Sequence, residues 1–462
     1  MFNIEEATIA DIQNSVKSRE ISYKELVIQY FERIAEFDSC KNGLNSIIEI
    51  NPDAIQIAEQ LDNDRNLKAT YSLYGIPILL KDNVNTADKM RTCAGSLALA
   101  DNFAVNDATV ALSLRKSGAL FLGKANMTEY ANFMAYDMPA GYSSRGGQVI
   151  HPYLRESNPC GSSTGSAAAV AANLCVASVG TETCGSVIAP SFACGIVGIK
   201  PTAGLLSGNG IIPISNTLDT AGAMARTVTD AAILLGAMEY EKDYTHDLEL
   251  ASLKNLRVGI YGIADETDEY YNIEFERVLT EMEKAGALVI RDICNTISDN
   301  SWQEFGKVIA VHEFKHSLEY YLSTAHSKMK SFKDIVMFNI EHNQQCLKYG
   351  QSMLLECLEV SGRLIESEYL QALRRRDIAI KDLNQIFDEN KFDILLYAGK
   401  FSSIAPTTGF PAGVIPIGLR ENGVPYGLYF FARPFAETTL IRAMYAAEQL
   451  VGQRFAPKLK KN

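Results

Sequence analysis

The chain of 462 residues has the composition of an ordinary globular protein, with 47% hydrophobic and 21% charged residues. Its formal net charge of −12 argues against a nucleic-acid backbone as the main partner. The sequence shows no basic and apolar leader and no run of about 18 apolar residues, so we expect neither a secretory signal nor a membrane span. Its nine cysteines have no CxxC or metal-ligand spacing, which favours reduced thiols and a cytoplasmic location.

The predicted secondary structure begins with a helix and continues as an alternation of strands and helices. Ser22 and Glu25 form a capping-box pattern ahead of an apolar stripe of Leu26, Tyr30 and Ile34 at helical spacing. The elements that follow are a strand at 76–80, a helix at 107–117, strands at 120–122 and 257–261, a helix near 274–284, and strands at 288–290, 392–396 and 414–417. Alternation of this kind is typical of α/β domains.

Two long stretches differ in amino-acid composition from the rest of the chain. Residues 160–222 are poor in charge and rich in Gly, Ser, Thr and Ala, which indicates close backbone packing around a site. Residues 301–390 are charged and amphipathic, and we expect them to form a helical layer on the substrate side. The pattern predicts a single α/β domain over residues 1–462, with a mixed, mainly parallel central sheet between helical layers.

A lysine stands directly after the first predicted strand. Lys81 follows the apolar run 76–80, where desolvation would favour its neutral form and make it a candidate base. Two other roles stay open from the residues alone. The side chain could extend to solvent, or it could pair with an acid such as Asp82.

Two glycine-rich segments lie within the low-charge stretch. Residues 161–166 read Gly-Ser-Ser-Thr-Gly-Ser and open an alanine-rich helix, which fits either an anion site or an ordinary serine helix cap. The segment is not a phosphate loop, because no Gly-Lys-Ser/Thr follows. Residues 180–186 form a tight glycine turn that presents Ser186 after a run of backbone amides, the arrangement that an oxyanion hole needs.

Taken together and in order, these segments resemble the motifs of the amidase signature enzymes. The matching stretches span nearly the entire chain and are 75–82, 161–163, 181–186, 195–202, 218–222 and 405–428. The interval between Ser162 and Ser186 also agrees with that of the family. Several long motifs in register are very specific.

The resemblance implies a role for each matching residue. Ser186 would be the nucleophile, Ser162 would bridge its hydroxyl to Lys81, and neutral Lys81 would take the proton and help to deliver it to the leaving amine. The oxyanion hole falls on the backbone amides of Thr183, Cys184, Gly185 and Ser186. The family's bridging serine follows a cis peptide bond, so we expect the bond between residues 161 and 162 to be cis.

The reaction implied is hydrolysis of a carboxamide through an acyl-serine intermediate, and it requires no metal or organic cofactor. The implied partner is a small-molecule or peptide amide substrate, with no nucleic acid and no membrane; the oligomeric state is not predicted. His151 is the one histidine near the serine-rich segments, and its His-Pro-Tyr context favours a loop role over a catalytic one.

Within the family, the peptide amidases, which remove C-terminal amides, are the most similar branch. The stretches that carry this similarity are 125–133, 144–148, 313–315, 320–322 and 405–411. Residues 184–188 read Cys-Gly-Ser-Val-Ile where many members have Gly-Gly-Ser-Ile-Arg, and Glu182 replaces a commoner aspartate. These departures argue against one alternative, the A subunit of a glutamyl-tRNA amidotransferase-like complex. Cys184 is a rival nucleophile, although its matching position in the family is a backbone donor.

A second alternative comes from a different class of enzyme. His312, Glu313 and His316 form the H-E-x-x-H pattern of zinc metallopeptidases, which on a helix places both imidazoles on one face with the glutamate as general base. A charged residue inside the motif argues against this interpretation. No third-ligand motif follows, although Glu341 or Glu356 could serve.

Overall fold

The computed structural model describes residues 2–64, 72–240, 242–261, 268–291, 300–399, 401–451 and 454–460. Within these residues, eleven strands form one sheet and two short strands form a separate hairpin. The strands are β1 Ile47–Ile50, β2 Pro77–Lys81, β3 Leu120–Ala125, β4 Tyr142–Ser143, β5 Gly147–Gln148, β6 Ala177–Glu182, β7 Val197–Lys200, β8 Thr220–Ala225, β9 Arg257–Tyr261, β10 Leu288–Ile290, β11 Ile394–Tyr397, β12 Ala412–Leu419 and β13 Pro425–Ala432.

The large sheet is mixed, with the strand order β1-β3-β2-β6-β8-β7-β12-β13-β11-β9-β10. Parallel neighbours lie towards its two ends, in the sets β3-β2-β6 and β11-β9-β10. The pairs between β6 and β11 are antiparallel. One of them, β12-β13, has to be antiparallel because only residues 420–424 connect its strands.

Helices flank this sheet. The α-helices are α1 Ile9–Lys17, α2 Tyr23–Phe37, α3 Ala54–Asn63, α4 Thr109–Lys116, α5 Thr164–Ala171, α6 Ile188–Ala193, α7 Val228–Met238, α8 Glu269–Lys284, α9 Lys307–Thr324, α10 Phe332–Glu341, α11 Asn343–Cys346, α12 Ser352–Glu359, α13 Ser367–Asn390, α14 Ile404–Thr408 and α15 Glu437–Val451. Short 3₁₀ turns occur at Leu97–Leu99, Glu129–Asn132 and Leu250–Leu253, and a π-helical turn at Trp302–Gly306. None of the helices that the structure describes is long and apolar enough to cross a bilayer.

The local sequence signals correspond to real elements. The predicted capping box is present at the start of α2, where Ser22 Oγ accepts from Glu25 N and the Glu25 carboxylate accepts from Ser22 N at 2.8 Å. β9 and β10 have the predicted bounds. The segment 301–390 is helical as predicted, from the π-helical turn to the end of α13, apart from its short connections.

The low-charge stretch forms the interior that carries the site. Every residue of α5 is buried, because its Gly, Ser and Ala side chains let neighbouring backbone approach closely. A Cβ at Gly165 would lie only 2.3 Å from the carbonyl oxygens of Asn126 and Ser46. α5 packs against β2 and β6, which are parallel neighbours, so the carboxyl ends of these two strands meet at one edge beside the start of α5.

Candidate active site

Lys81 is the last residue of β2, and its ammonium nitrogen is fully buried among oxygen atoms. The contacts of Lys81 Nζ are Ser162 Oγ at 2.8 Å, Ser163 Oγ at 3.0 Å, Thr181 Oγ1 at 2.9 Å and Thr181 O at 3.1 Å. Asp82 makes other bonds, because consecutive side chains leave a strand on opposite faces. Its carboxylate accepts from Gly95 N at 2.8 Å and Arg145 Nη1 at 3.3 Å. Lys81 therefore neither extends to solvent nor pairs with Asp82.

The surroundings of Lys81 lower the pKa of its ammonium group towards neutrality. Burial removes water from the ammonium group and lowers the pKa of Lys81 to about 7, while the negative charges of Asp219 and Glu182 act in the opposite direction. Both protonation states are consequently populated at pH 7. The prediction that desolvation favours neutral Lys81 agrees with this geometry.

The serine loop brings two hydroxyls to Lys81. The Gly161–Ser162 peptide bond is cis, as expected. Ser163 holds the N-cap position of α5 but makes no side-chain cap bond, so the interpretation of this loop as an ordinary serine cap is wrong. Its hydroxyl instead donates to Thr181 O at 3.1 Å and lies beside Lys81. The Ser163 side chain thus binds the end of β6 and does not cap the amides of α5.

The glycine turn after β6 places Ser186 next to the serine loop. Ser163 N donates to Ser186 O at 3.2 Å, which ties the two segments together. Gly185 has a φ of +83°, and a Cβ there would lie 2.4 Å from the ring of Phe401, so the turn requires glycine at this position. Ser186 is largely buried, yet it lines the cleft described below.

Glu182 binds the backbone that directly follows Ser186. Glu182 Oε2 accepts from Val187 N at 2.7 Å and from Ile188 N at 3.0 Å. These amides begin the short helix α6, where a carboxylate satisfies N–H groups that have no partner within the helix. Glutamate at position 182, where aspartate is commoner, thus uses its carboxylate to bind the backbone amides that follow Ser186.

Asp219 is a site residue that the sequence did not single out. Its carboxylate accepts from Thr183 Oγ1 at 2.6 Å, from Ile214 N at 2.7 Å and from Ser215 N at 3.0 Å. Burial raises the pKa of Asp219 to about 6. The available signal was that Asp219 is the only charged residue between Lys200 and Arg226, and it lies in the matching segment 218–222.

A cleft of about 470 Å³ opens onto Ser186 and the preceding turn. Its lining residues are Ala131, Asn132, Phe133, Ala135, Tyr136, Gly161, Thr183, Cys184, Ser186, Ile214, Asn300, Trp302, Gln303, Lys307, Met353, Phe401 and Ser403. Four of these side chains are aromatic, and Lys307 is the only Lys, Arg, Asp or Glu among these described residues. Trp302, Gln303, Lys307 and Met353 come from the segment 301–390, so part of this helical layer borders the cleft.

The H-E-x-x-H pattern has a different use in this structure. His312 is buried and His316 is exposed, so the two imidazoles do not face one site. Glu313 is buried and accepts four hydrogen bonds, from Ser215 Oγ, Thr217 N, Thr217 Oγ1 and Tyr369 Oη. In the described ranges, no group of three or more potential metal-ligating side chains is arranged to hold a metal ion. The arrangement of these side chains does not support the zinc alternative.

Two other polar residues lie near the serines in the sequence. His151 Nε2 lies 3.0 Å from Ala193 O, and its Nδ1 accepts from Tyr153 N and Leu154 N. Burial lowers the pKa of His151 to about 4, so the imidazole is neutral and organises a loop, as predicted. Cys184, the rival nucleophile, lines the cleft two positions before Ser186.

Comparison with known proteins identifies the family. The family model for amidases matches residues 25–441. A protein of Arabidopsis thaliana named as a probable amidase is 36% identical over 483 residues, which cover 99% of this chain and 92% of that protein. The X-ray structure of a peptide amidase from Stenotrophomonas maltophilia matches with a TM-score of 0.91 at 36% identity, covering 98% of this chain and 99% of that one. This chain therefore belongs to the amidase signature family and hydrolyses linear amides, and its predicted fold class is confirmed.

A more distant relative bears on one of the alternatives. It is a component of the glutamyl-tRNA(Gln) amidotransferase of Exiguobacterium sibiricum, namely the A subunit, and it is 28% identical over 496 residues, covering 98% of each chain. Amidotransferase A subunits and peptide amidases are thus both similar to this chain.

Proposed function

We propose that the protein hydrolyses carboxamides through an acyl intermediate on Ser186, with Ser162 and Lys81 as its proton path. The observation that carries the proposal is the 2.8 Å contact between Lys81 Nζ and Ser162 Oγ in a fully buried environment. A serine hydroxyl is a poor nucleophile unless a base activates it, and a lysine of lowered pKa supplies such a base.

In the first half of the reaction, neutral Lys81 accepts the proton of the Ser162 hydroxyl. Ser162 Oγ accepts the Ser186 proton in turn, and Ser186 Oγ forms a bond to the amide carbon. The resulting tetrahedral intermediate collapses as Lys81 returns the proton through Ser162 to the leaving nitrogen. The C–N bond breaks, ammonia or an amine leaves, and the acyl group stays on Ser186.

In the second half, water replaces the amine. The water gives a proton to the same path as its oxygen attacks the acyl carbon, and collapse of the second tetrahedral intermediate restores the Ser186 hydroxyl and releases the acid. In both halves the negative oxygen would be stabilised by the backbone amides of residues 183–186. Two features support this placement. Asp219 accepts a hydrogen bond from Thr183, and Gly185, in a left-handed conformation, turns the chain before the nucleophile.

The substrates that we propose are C-terminal peptide amides. The named activity of the Stenotrophomonas relative supports this class, as does the aromatic lining of the cleft beside Ser186. Aromatic walls would hold the apolar side chain of the amidated residue, because such surfaces bind apolar groups by area burial.

The test is ammonia release by the isolated chain from amidated dipeptides, free glutamine, and simple aliphatic and aromatic amides, each with and without a chelator. We expect rapid, chelator-insensitive release from the dipeptide amides and none from the Ser186→Ala variant. Ser191→Ala is the matched control, because the Ser191 hydroxyl is buried without a hydrogen-bond partner among the described residues. Activity retained by Ser186→Ala would contradict the mechanism.

The same assay separates the alternatives. An amidotransferase A subunit would need partner chains, so silence of the isolated chain on every amide would favour that class. Chelator-sensitive release would favour the zinc alternative. The higher identity to the peptide amidase, 36% against 28% for the amidotransferase component, supports the hydrolase as the first choice.

A further inference from the structure

The carboxylate of Glu313 accepts four hydrogen bonds close to the proposed active site. It lies in α9, and its side chain is 3% exposed. The donors are Ser215 Oγ at 2.6 Å and Thr217 N at 3.0 Å to Oε2, and Thr217 Oγ1 at 2.5 Å and Tyr369 Oη at 2.7 Å to Oε1. Because Tyr369 belongs to α13, the carboxylate connects two helices of the segment 301–390 to the loop that precedes β8.

The same loop holds the turn before the nucleophile. Ser215 N donates to Asp219 Oδ2 at 3.0 Å, and Asp219 Oδ1 accepts from Thr183 Oγ1 at 2.6 Å. Ser215 therefore binds Glu313 through its hydroxyl and Asp219 through its amide. A continuous series of contacts leads from Tyr369 through Glu313, Ser215 and Asp219 to Thr183.

We propose that Glu313 is a positioning residue for the oxyanion-binding turn, acting through the loop 214–219 on Thr183. The inference rests on the proposed function, since it assumes that the amides near Ser186 hold the oxyanion. The chemistry of the acceptor supports it. A carboxylate is negatively charged and accepts from all four donors, whereas a neutral amide keeps one acceptor oxygen and would require the two hydroxyls at its NH₂ group to turn and accept. Replacement of one oxygen by NH₂ would weaken the hold on the loop, because charged hydrogen bonds become neutral ones, without changing the size of the side chain.

Glu313→Gln tests the proposal. We expect kcat/KM on an amidated dipeptide to fall about 30-fold, less than the loss of an oxyanion donor outright. KM should change less than about threefold, because Glu313 does not line the cleft. A dipeptide aldehyde ending in phenylalaninal should lose affinity by the same factor as kcat/KM. When it binds, Ser186 Oγ bonds to the aldehyde carbon, the C=O π bond opens, and the Ser186 proton passes through Ser162 to Lys81, which leaves a negative oxygen in the same turn.

Asp230→Asn is the control for a purely structural effect. Asp230 is another buried carboxylate, in α7, and it accepts from Ile9 N at 3.2 Å. Its variant should lower the thermal midpoint while leaving kcat/KM and aldehyde affinity unchanged. A second variant, Thr217→Val, removes the hydroxyl donor to Glu313 and keeps the hydrogen bond from Thr217 N. It should lower kcat/KM and aldehyde affinity by about fivefold each, and it replaces Glu313→Gln as the test if that variant fails to fold.

The outcomes separate this inference from the proposed function. Wild-type kcat/KM and aldehyde affinity in a folded Glu313→Gln variant, or in Thr217→Val, would overturn the positioning role and leave the serine mechanism standing. Activity of Ser186→Ala would overturn the mechanism itself. An equal loss in Asp230→Asn would show that general destabilisation accounts for the effect, which would also overturn the positioning role.

Discussion

In the proposed mechanism, the Lys81 side chain both accepts and returns a proton within one turnover. Burial disfavours its ammonium form, and the surrounding oxygens of Ser162, Ser163 and Thr181 replace part of the lost hydration. The result is a pKa of about 7 for Lys81. A proton donor and acceptor works best when its pKa lies near the working pH, because both forms are then available.

The first prediction concerns pH. Since the neutral form of Lys81 is the base, kcat/KM should rise with pH and level off above a midpoint near 7, in line with the lowered pKa of Lys81. The measurement is kcat/KM on one dipeptide amide between about pH 5.5 and 9. Lys81→Arg is the control, because arginine keeps the charge but cannot lose its proton, so we expect no activity at any of these pH values. A flat profile, or an active arginine variant, would remove Lys81 from the proton path.

Ser186 depends on its turn, and the turn depends on a left-handed glycine. Gly185→Ala forces an alanine into φ +83° and brings its Cβ within 2.4 Å of Phe401. As a second prediction, we expect a loss of about 1–3 kcal/mol in unfolding free energy and a drop in kcat of about 100-fold or more. Urea unfolding and steady-state kinetics measure the two effects.

Gly204→Ala is the matched variant for that experiment. Gly204 has a φ of +91° and nothing within 4 Å of a Cβ, so its backbone cost is similar while the active-site turn stays untouched. It should lose stability and keep kcat. If both variants kept wild-type kcat, the geometry of the turn would not matter for catalysis.

At the scale of elements, the site forms where the carboxyl ends of β2 and β6 meet the start of α5. The apolar run ending at Lys81 and the glycine-rich turn at Ser186 could be predicted, because strand composition and glycine turns are local signals. The partners of Lys81 could not be derived from local signals, since Ser162 and Thr181 lie 81 and 100 positions away in the chain. The resemblance to a family predicted the link between Lys81 and Ser162, whereas the contact of Lys81 with Thr181 was not predicted.

Glu313 illustrates why a local pattern can mislead. The spacing of His312, Glu313 and His316 is equally compatible with a zinc site and with an amphipathic helix, because residues four apart share a face in both cases. What decides is the environment of the helix. Here α9 presents Glu313 to the loop 214–219 and leaves His316 exposed, which depends on tertiary packing that no short window contains.

The sheet shows a similar limit. Alternation of strands and helices predicted the α/β class, and parallel neighbours occur towards both ends of the sheet. The antiparallel pairs in the middle bring together strands from distant parts of the chain, such as β7 and β12. Sequence periodicity predicted six of the thirteen described strands, namely β2, β3, β9, β10, β11 and β12, and missed the others. It did not predict which strands are neighbours, because pairing of this kind is set by packing of the whole domain.

At the scale of the whole molecule, the segment 301–390 meets the catalytic sheet at the cleft and contributes Lys307, the one Lys, Arg, Asp or Glu among the described lining residues. Lys307 Nζ lies 3.0 Å from Glu356 Oε1 and 4.8 Å from the centroid of the Tyr136 ring. Tyr136 also donates to Glu356. Because Glu356 neutralises Lys307, the described lining offers no uncompensated positive charge to a substrate.

The third prediction concerns substrate charge. Two peptide amides are compared, one with an acidic residue before the amidated residue and one with a neutral residue there. Glu356→Gln leaves Lys307 without its carboxylate partner, so kcat/KM for the acidic peptide divided by kcat/KM for the neutral one should rise about five- to tenfold. Glu59→Gln is the control, since it breaks a similar ion pair with Lys24 between exposed side chains that do not line the cleft. An unchanged ratio in Glu356→Gln would exclude a role for this pair in specificity.

In the proposed mechanism, amide hydrolysis passes through an acyl group on Ser186. The most direct test is rapid acid quenching of the enzyme during turnover of a dipeptide amide, followed by mass spectrometry of its proteolytic peptides. We expect an added acyl mass on the peptide that contains Ser186, and no acylated peptide from the Ser186→Ala variant. An acyl mass on Cys184, or full turnover without an acyl mass on any residue, would contradict it.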